Sequence, residues 1–320
     1  MGYNYPILQL DHLDSLWFQV AGTICNLRCN HCFISCSPEN HTLNLMNFDQ
    51  VLPYLEEAAH LGVKEFYFTG GEPFINPDLP KILEATLQIG PATVLTNATF
   101  LSAGLVAELA KMRDASKYSL ELRVSIDGFS PEINDPIRGP GTFKRAMRGV
   151  KLLLDGGFLP IITAMRSWPL EEDEAQLCGF KNSLAAVGYR YPRIKLLPSL
   201  KIGQEALRNR GYSEHDYITE SMMVGYDTSQ LMCSNSRIVS ARGVHVCPIL
   251  VDQPDSILGK RLSNANPAFR LSHQACMTCY RYGALCSNAS SAAPSFEKMR
   301  LTRPNQEQSY SESSNPHMAG

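Results

Sequence analysis

Three cysteines stand close together near the start of the chain. Cys25, Cys29 and Cys32 lie in the segment Cys-Asn-Leu-Arg-Cys-Asn-His-Cys, spaced as CxxxCxxC. Three thiolates on one short loop can bind three irons of a [4Fe–4S] cube and leave the fourth iron open to another ligand. A zinc site, completed by His31 or Cys36, and a set of unpaired thiols are the alternatives.

A second group of cysteines lies near the other end of the chain, and its members are Cys233, Cys247, Cys276, Cys279 and Cys286. Cys276 and Cys279 form a CxxC pair, and Cys233 and Cys247 flank a predicted hairpin. Four thiolates can complete the ligand set of a cluster or hold a structural zinc ion. Because there are five candidates for four places, one cysteine is either spare or guards an open iron.

Glycines and polar side chains follow the predicted strands. Gly70, Gly71, Glu72 and Pro73 come directly after the second strand. The glycines let the backbone approach a ligand closely, and the Glu72 carboxylate can accept a hydrogen bond from an ammonium group. A turn without a ligand is the alternative interpretation.

Three further polar residues occupy corresponding places, because Asn97 follows the third strand, Ser125 ends the fourth, and Arg138 comes soon after it. A guanidinium pairs with a carboxylate in bidentate fashion, which suits Arg138 to an acidic ligand. Arg166 and Trp168, just past the fifth strand, are candidate substrate contacts.

The elements that position these residues alternate along the chain. Strands are predicted at 16–20, 64–69, 92–95, 120–126, 159–163 and 193–197, and helices at 47–61, 102–112 and 142–154, with Ser102 and Thr142 as caps. Six successive βα units predict parallel strands joined by right-handed crossovers. Since eight would be needed to close a barrel, we expect an α/β fold with a partial (β/α)6 TIM-like barrel and function at the carboxyl ends of its strands.

The barrel is one of several predicted regions. We expect an N-terminal segment at 1–14, the barrel at 15–200, a polar helical connector at 201–232, a small cysteine-rich C-terminal domain at 233–287 and a disordered tail at 288–320. Residues 237–240 and 244–247 predict a hairpin with Gly243 in its turn.

Composition restricts the function classes. The net charge of −2 does not indicate the basic surface that nucleic-acid-binding proteins have. No apolar run approaches the roughly 20 residues that a membrane span requires. The N-terminus has no secretion signal, so we expect a cytoplasmic protein. A reducing cytosol disfavours disulfides, which directs the clustered cysteines toward metal or redox chemistry.

These motifs resemble the radical S-adenosylmethionine (radical SAM) superfamily. The resemblance implies a [4Fe–4S] cluster on Cys25, Cys29 and Cys32 whose open iron chelates S-adenosylmethionine. It further implies cofactor contacts from His31, Gly70, Gly71, Glu72, Pro73, Asn97, Ser125 and Arg138, with His31 near the adenine, the glycine loop at the amino group, and Ser125 and Arg138 at the carboxylate. The C-terminal cysteines resemble a twitch domain, a shortened relative of the SPASM domain, which implies one auxiliary [4Fe–4S] cluster.

The implied activity is radical chemistry. In this superfamily, cleavage of the cofactor gives a 5′-deoxyadenosyl radical that removes hydrogen from an unactivated carbon. We expect net oxidation, by dehydrogenation or hydroxylation, of a small biosynthetic intermediate such as a sugar, nucleoside or tetrapyrrole, with flavodoxin or ferredoxin as external electron donor. Maturation of a ribosomal peptide is the alternative; with the barrel starting near Ser15, we expect no peptide-binding extension before it. A non-catalytic iron–sulfur or zinc scaffold is the remote alternative.

Overall fold

Most strands of the fold belong to one nine-stranded sheet, in a computed structural model that describes residues 4–283. The strands are β1 (Ile7–Leu8), β2 (Ser15–Phe18), β3 (Glu65–Phe68), β4 (Ala92–Thr96), β5 (Leu120–Ser125), β6 (Ile161–Met165), β7 (Arg193–Leu197), β8 (Ser236–Ser240), β9 (Gly243–His245), β10 (Ile257–Gly259) and β11 (Phe269–Arg270). The helices are α1 (Phe48–Leu61), α2 (Leu79–Thr86), α3 (Ala103–Ala115), α4 (Pro131–Arg138), α5 (Thr142–Asp155), α6 (Asp173–Ala186), α7 (Gly203–Asn209) and α8 (Ala275–Tyr282).

The order of the strands confirms the predicted partial barrel. Strands β2 to β7 lie side by side in chain order, and every neighbouring pair among them is parallel. Helices connect successive strands, which is the arrangement of (β/α)6 units. The carboxyl ends of all six strands therefore meet at one edge of the barrel.

The two faces of the sheet bury different side chains because residues alternate along a strand. Leu16 and Phe18 of β2, with Phe66 and Phe68 of β3, belong to the core that packs against the helices. The intervening Trp17 belongs to a second core that includes the cysteine loops. The aromatic residues of β2 and β3 thus fill both layers.

Most helix predictions are confirmed, with one wrong cap. Ser102 caps α3 by accepting from Leu105 N, and Asn47 forms a capping box with Gln50 at the start of α1, although Pro53 lies inside that helix. The predicted cap at Thr142 is wrong, because Thr142 is the first residue of α5.

The reason for this error lies in the residue before Thr142. Gly141 adopts φ +71° at the cap position, and the Thr142 hydroxyl instead donates to the Gly139 carbonyl at 2.7 Å. Glycine supplies this left-handed conformation without the steric cost of a Cβ atom.

The C-terminal hairpin is confirmed, and it extends the barrel sheet. Strands β8 and β9 pair antiparallel, while β8 also pairs parallel with β2. The N-terminal strand β1 pairs with β11 in a separate two-stranded sheet. The segment 201–232 is less helical than expected, because it contains α7 and otherwise only short 3₁₀ turns.

Two predictions lie outside the described residues, namely those on Cys286 and on the tail at 288–320. Between residues 4 and 283, no helix combines the length and apolar character that crossing a membrane requires.

Candidate active site and auxiliary metal site

A cavity of about 250 Å³ lies at the carboxyl ends of the barrel strands. The predicted site residues that line it are Cys25, Cys29, His31, Cys32, Gly70, Gly71, Asn97, Ser125 and Arg138. Glu72 and Pro73 are buried and are not among its lining residues. The fold therefore brings most of the predicted N-terminal set to one place.

The three cysteines of the N-terminal loop sit in different environments. Burial raises the pKa of Cys25 to about 12 and that of Cys29 to about 11. A hydrogen bond with the Cys36 side chain lowers the pKa of Cys32 to about 6, and the Cys36 N–H also donates to Cys32 Sγ at 3.2 Å. Three sulfur donors on one cavity wall are the soft ligand set that an iron–sulfur cluster takes.

The glycine loop packs directly against the cysteine loop. Gly71 N donates to Gly22 O at 3.1 Å, and Glu72 N donates to Ile24 O at 3.1 Å. A Cβ atom on Gly71 would overlap the Ile24 carbonyl and stand 2.7 Å from Cys25 N. Glycine is needed here because two backbone segments meet without room for a side chain.

The Glu72 carboxylate has partners of its own. It accepts from Thr96 Oγ1 at 2.7 Å, from Asn97 N at 2.8 Å and from Phe74 N at 3.2 Å. Burial raises its pKa to about 7. Glu72 thus ties the glycine loop to the end of β4, and its side chain is a structural link between two cavity walls.

Asp127 holds two predicted cofactor residues together. Its Oδ2 accepts from Arg138 Nε at 2.5 Å and lies 2.7 Å from His31 Nε2, and its Oδ1 accepts from Met165 N at 2.7 Å. Burial opposes ionisation, but Arg138 and His31 hold the pKa of Asp127 well below its usual range. From the sequence alone, Asp127 before Gly128 has the pattern of a turn residue. That pattern does not indicate that the cysteine loop meets the end of β5.

The same contact orients the His31 ring. Since Nε2 faces a carboxylate, Nε2 carries a hydrogen, and in the neutral tautomer of that form Nδ1 is an acceptor. His31 Nδ1 is buried and has no hydrogen-bond partner within residues 4–283. Arg138 engages Asp127 through Nε, and a guanidinium has further N–H donors on its other nitrogens, so a carboxylate ligand remains compatible with this pair.

Asn97 and Ser125 occupy the walls between these groups. Asn97 Nδ2 donates to Asn26 Oδ1 at 2.9 Å and lies 3.8 Å from Cys25 Sγ, which joins β4 to the cysteine loop. Ser125 Oγ lies 3.4 Å from Thr163 Oγ1 on β6. Both side chains line the cavity.

Trp17, Gln19 and Arg123 also line the cavity, and sequence reasoning missed them. Trp17 and Tyr67 stack with ring centroids 4.2 Å apart, and the Arg123 guanidinium lies 5.4 Å from the Tyr67 ring. Trp17 Nε1 and Gln19 Oε1 are buried and lack a hydrogen-bond partner within the described chain. The sequence contained a signal for Arg123. Side chains two positions apart on a strand lie on the same face, so Arg123 shares the face of Ser125, a predicted site residue.

Arg166 and Trp168 do not line this cavity. Arg166 Nη2 donates to Asp173 Oδ2 at 3.0 Å, and Trp168 Nε1 donates to Asp173 Oδ1 at 2.8 Å. Both side chains therefore anchor the start of α6.

Four C-terminal cysteines converge on a second, apolar cavity. Cys233 and Cys247 flank the hairpin of β8 and β9, and α8 brings Cys276 and Cys279 to the same space. Burial raises the pKa of Cys233 and of Cys276 well above the usual range. Four sulfur donors around one small apolar space fit a metal–thiolate centre.

Neither cysteine group is arranged tightly around one point. No group of three His, Cys, Asp or Glu side chains within residues 4–283 is placed to hold a metal ion. A single zinc ion draws four ligands around itself, whereas each thiolate of a cube binds a different iron and the ligands stand farther apart.

The chain is similar to a known family and to several known proteins. The family model of the radical SAM superfamily matches residues 20–175. The AdoMet-dependent heme synthase of Methanosarcina barkeri is 34% identical over 159 residues, which is 49% of this chain and 43% of that protein. The antilisterial bacteriocin subtilosin biosynthesis protein AlbA of Bacillus subtilis is 30% identical over 135 residues, 42% of this chain and 29% of that protein. The chain thus spans less than half the length of these relatives.

A solved structure has the same fold. Streptococcus suis SuiB bound to S-adenosylmethionine superimposes with a TM-score of 0.56 at 15% identity, covering 76% of this chain and 62% of that chain.

Proposed function

The chain belongs to the radical SAM superfamily, and on this premise we propose that it binds S-adenosylmethionine at a [4Fe–4S] cluster held by Cys25, Cys29 and Cys32. When bound, the cluster and the cofactor supply a 5′-deoxyadenosyl radical by reductive cleavage. The observation that carries this proposal is the shared cavity, in which the three thiols face Gly70, Gly71, Asn97, Ser125 and Arg138.

Different residues of the chain would contact different groups of the cofactor. The glycine loop offers backbone groups beside the cysteine loop, Ser125 and Arg138 offer a hydroxyl and a guanidinium to a carboxylate, and His31 Nδ1 offers an acceptor to an amino group. Each contact would orient the cofactor, and the cavity at the carboxyl ends of the barrel strands would limit the access of water to a reactive radical.

We propose net oxidation of a small biosynthetic intermediate as the overall reaction. When bound at Cys233, Cys247, Cys276 and Cys279, an auxiliary [4Fe–4S] cluster supplies an electron acceptor. Trp17 and Gln19 line the cavity, and Trp17 Nε1 and Gln19 Oε1 are buried without a hydrogen-bond partner within the described residues. These two atoms support a substrate that both accepts and donates hydrogen bonds. The similarity to a heme synthase supports a small molecule.

Peptide maturation is the second candidate, supported by the similarity to a bacteriocin biosynthesis protein. The two are separated by adding the small-molecule fraction or the peptide fraction of a cell extract to the reduced enzyme. A small-molecule substrate predicts that only the first fraction stimulates 5′-deoxyadenosine release, and stimulation by the second alone would favour maturation.

The cluster assignment is tested by the triple variant Cys25→Ala, Cys29→Ala, Cys32→Ala after anaerobic reconstitution. It should lose one cluster and all 5′-deoxyadenosine formation under reductant. Cys178→Ala is the matched control, because this thiol is exposed on α6. Release of 5′-deoxyadenosine by the triple variant at the wild-type rate would show that the cluster lies elsewhere.

A further inference from the structure

A buried arginine lies close to Cys233 and Cys247, two of the four C-terminal cysteines. Arg237 is on β8, and 1% of its surface is exposed. Its guanidinium donates to backbone carbonyls: Nε to Ala265 at 2.9 Å, and Nη1 to Cys233 at 2.7 Å, to Ser236 at 2.8 Å and to Val246 at 3.3 Å. The hydrogen bonds hold the side chain in place, but carbonyl groups carry no net charge.

The positive charge of Arg237 therefore needs an anion. A guanidinium stays protonated in proteins, and an ion buried without a counter-charge is strongly destabilising. Within residues 4–283, no carboxylate forms an ion pair with Arg237, and the ionisable groups that act on it are the thiols of Cys233 and Cys247. The nearby source of negative charge is the cysteine group.

The form of the cysteines decides whether they can supply that charge. Free thiols and disulfides are neutral, whereas cysteines bound to a metal are thiolates. Four thiolates carry more negative charge than a zinc ion or an oxidised cube carries positive charge, so either centre is a net anion. A buried cation at this place fits a metal–thiolate centre and does not fit reduced or disulfide-bonded cysteines.

We propose that Arg237 is the built-in counter-cation of the centre formed by Cys233, Cys247, Cys276 and Cys279, and that it raises the reduction potential of the cluster bound there. This rests on the auxiliary cluster of the proposed function. Reduction adds one electron, taken from the reductant, and no atom leaves or joins the centre. Because the added charge is negative, the Arg237 cation stabilises the reduced form more than the oxidised form. Arg237 thereby favours electron acceptance at this site.

The test uses the Cys25→Ala, Cys29→Ala, Cys32→Ala background, in which only the auxiliary cluster remains. Each protein is reconstituted anaerobically, assayed for iron and zinc, and titrated with dithionite while the reduced cluster is followed by electron paramagnetic resonance. Arg237→Gln removes the charge and keeps an amide donor, and Arg237→Lys keeps the charge. Arg242→Gln removes an equal charge from the partly exposed turn between β8 and β9 and is the matched control.

Arg237→Gln should lower the ratio of reduced to oxidised cluster at a fixed potential about tenfold, which equals about 59 mV for one electron. Arg237→Lys and Arg242→Gln should stay close to the background protein. An unchanged midpoint in Arg237→Gln with the cluster retained would overturn the proposal.

Loss of iron is also informative. If Arg237→Gln loses its iron, the Arg237→Lys variant distinguishes the two roles. A retained cluster with the midpoint of the background protein supports a role for the charge. Loss of the cluster in both variants assigns Arg237 to hydrogen bonding alone and overturns the proposal. Stoichiometric zinc in place of the second cluster in the unaltered chain would end the auxiliary-cluster assignment itself, and the role of Arg237 in its potential with it.

Discussion

Replacing Asp127 with Asn should destabilise the candidate active site more than any exposed carboxylate replacement. Asp127 is fully buried and receives hydrogen bonds or ion pairs from Arg138, His31 and Met165 N. An amide keeps one acceptor oxygen and adds an NH₂ group, so at least one donor meets another donor. Leaving the largely buried Arg138 without its counter-charge costs about 3–5 kcal/mol of folding free energy.

The assay is the midpoint of thermal unfolding of the reconstituted protein. An unfolding entropy of about 2.1 cal/mol/K per residue corresponds to a shift of about 1.5 °C per kcal/mol in a chain of 320 residues. The cost of about 3–5 kcal/mol should therefore lower the midpoint of Asp127→Asn by about 4–8 °C. The matched control is Asp155→Asn, which breaks an exposed pair with Lys151 that contributes less than about 1 kcal/mol. Equal midpoints for the two variants would refute the argument from burial.

The same substitution should weaken cofactor binding. Asp127 orients both His31 and Arg138, and each charge-assisted contact contributes about 1.5–3 kcal/mol, so loss of one lowers affinity about ten- to a hundredfold. Calorimetry with S-adenosylmethionine measures this, and an unchanged affinity would show that neither side chain is positioned through Asp127.

Three further outcomes follow from particular contacts. Gly71→Ala should displace the cysteine loop, cost about 1–3 kcal/mol of folding free energy and lower the iron content. Gly104→Ala on α3, where a Cβ atom would stand an unstrained 4.0 Å from Ser102 Oγ, should be neutral or stabilising in the same iron and thermal assays. Equal effects of the two substitutions would contradict the clash. Glu72→Gln should keep both clusters but bind S-adenosylmethionine about tenfold more weakly by calorimetry, because an amide cannot accept from Thr96, Asn97 and Phe74 together. Ser102→Ala should cost about 1 kcal/mol in urea unfolding through loss of the α3 cap, and an unchanged stability would mean that water replaces the cap.

The regular part of the fold could be predicted because its signals are local. The period of two in the strands and the apolar stripe of α5 depend on neighbouring residues. The observed bounds agree with the predicted ones to within about three residues, the largest difference being the end of α3. The cap of α5 was wrong because the left-handed conformation of Gly141 moved the helix start by one residue.

The contacts across the site depend on distant parts of the chain, and they were harder to foresee. Asp127 looked like a turn residue before Gly128, and its pairing with His31 requires that the first loop reach the end of the fourth barrel strand. Glu72 could be placed in its loop, but the direction of its carboxylate depends on Thr96, which is 24 residues away. The pattern of Ser236–Ser240 identified a strand without identifying β2 as its partner.

That pairing has a mechanical consequence. Strand β8 pairs with β2 along four residue pairs. The hairpin flanked by Cys233 and Cys247 is therefore hydrogen-bonded to the same strand that leads into the Cys25 loop. A chain cut before Ser236 would expose the edge of β2, a row of unpaired backbone groups prone to intermolecular pairing. The C-terminal cysteine region is therefore part of the same sheet as the barrel. The hydrogen bonds between β2 and β8 set the distance between the two proposed centres, as electron transfer between them would require.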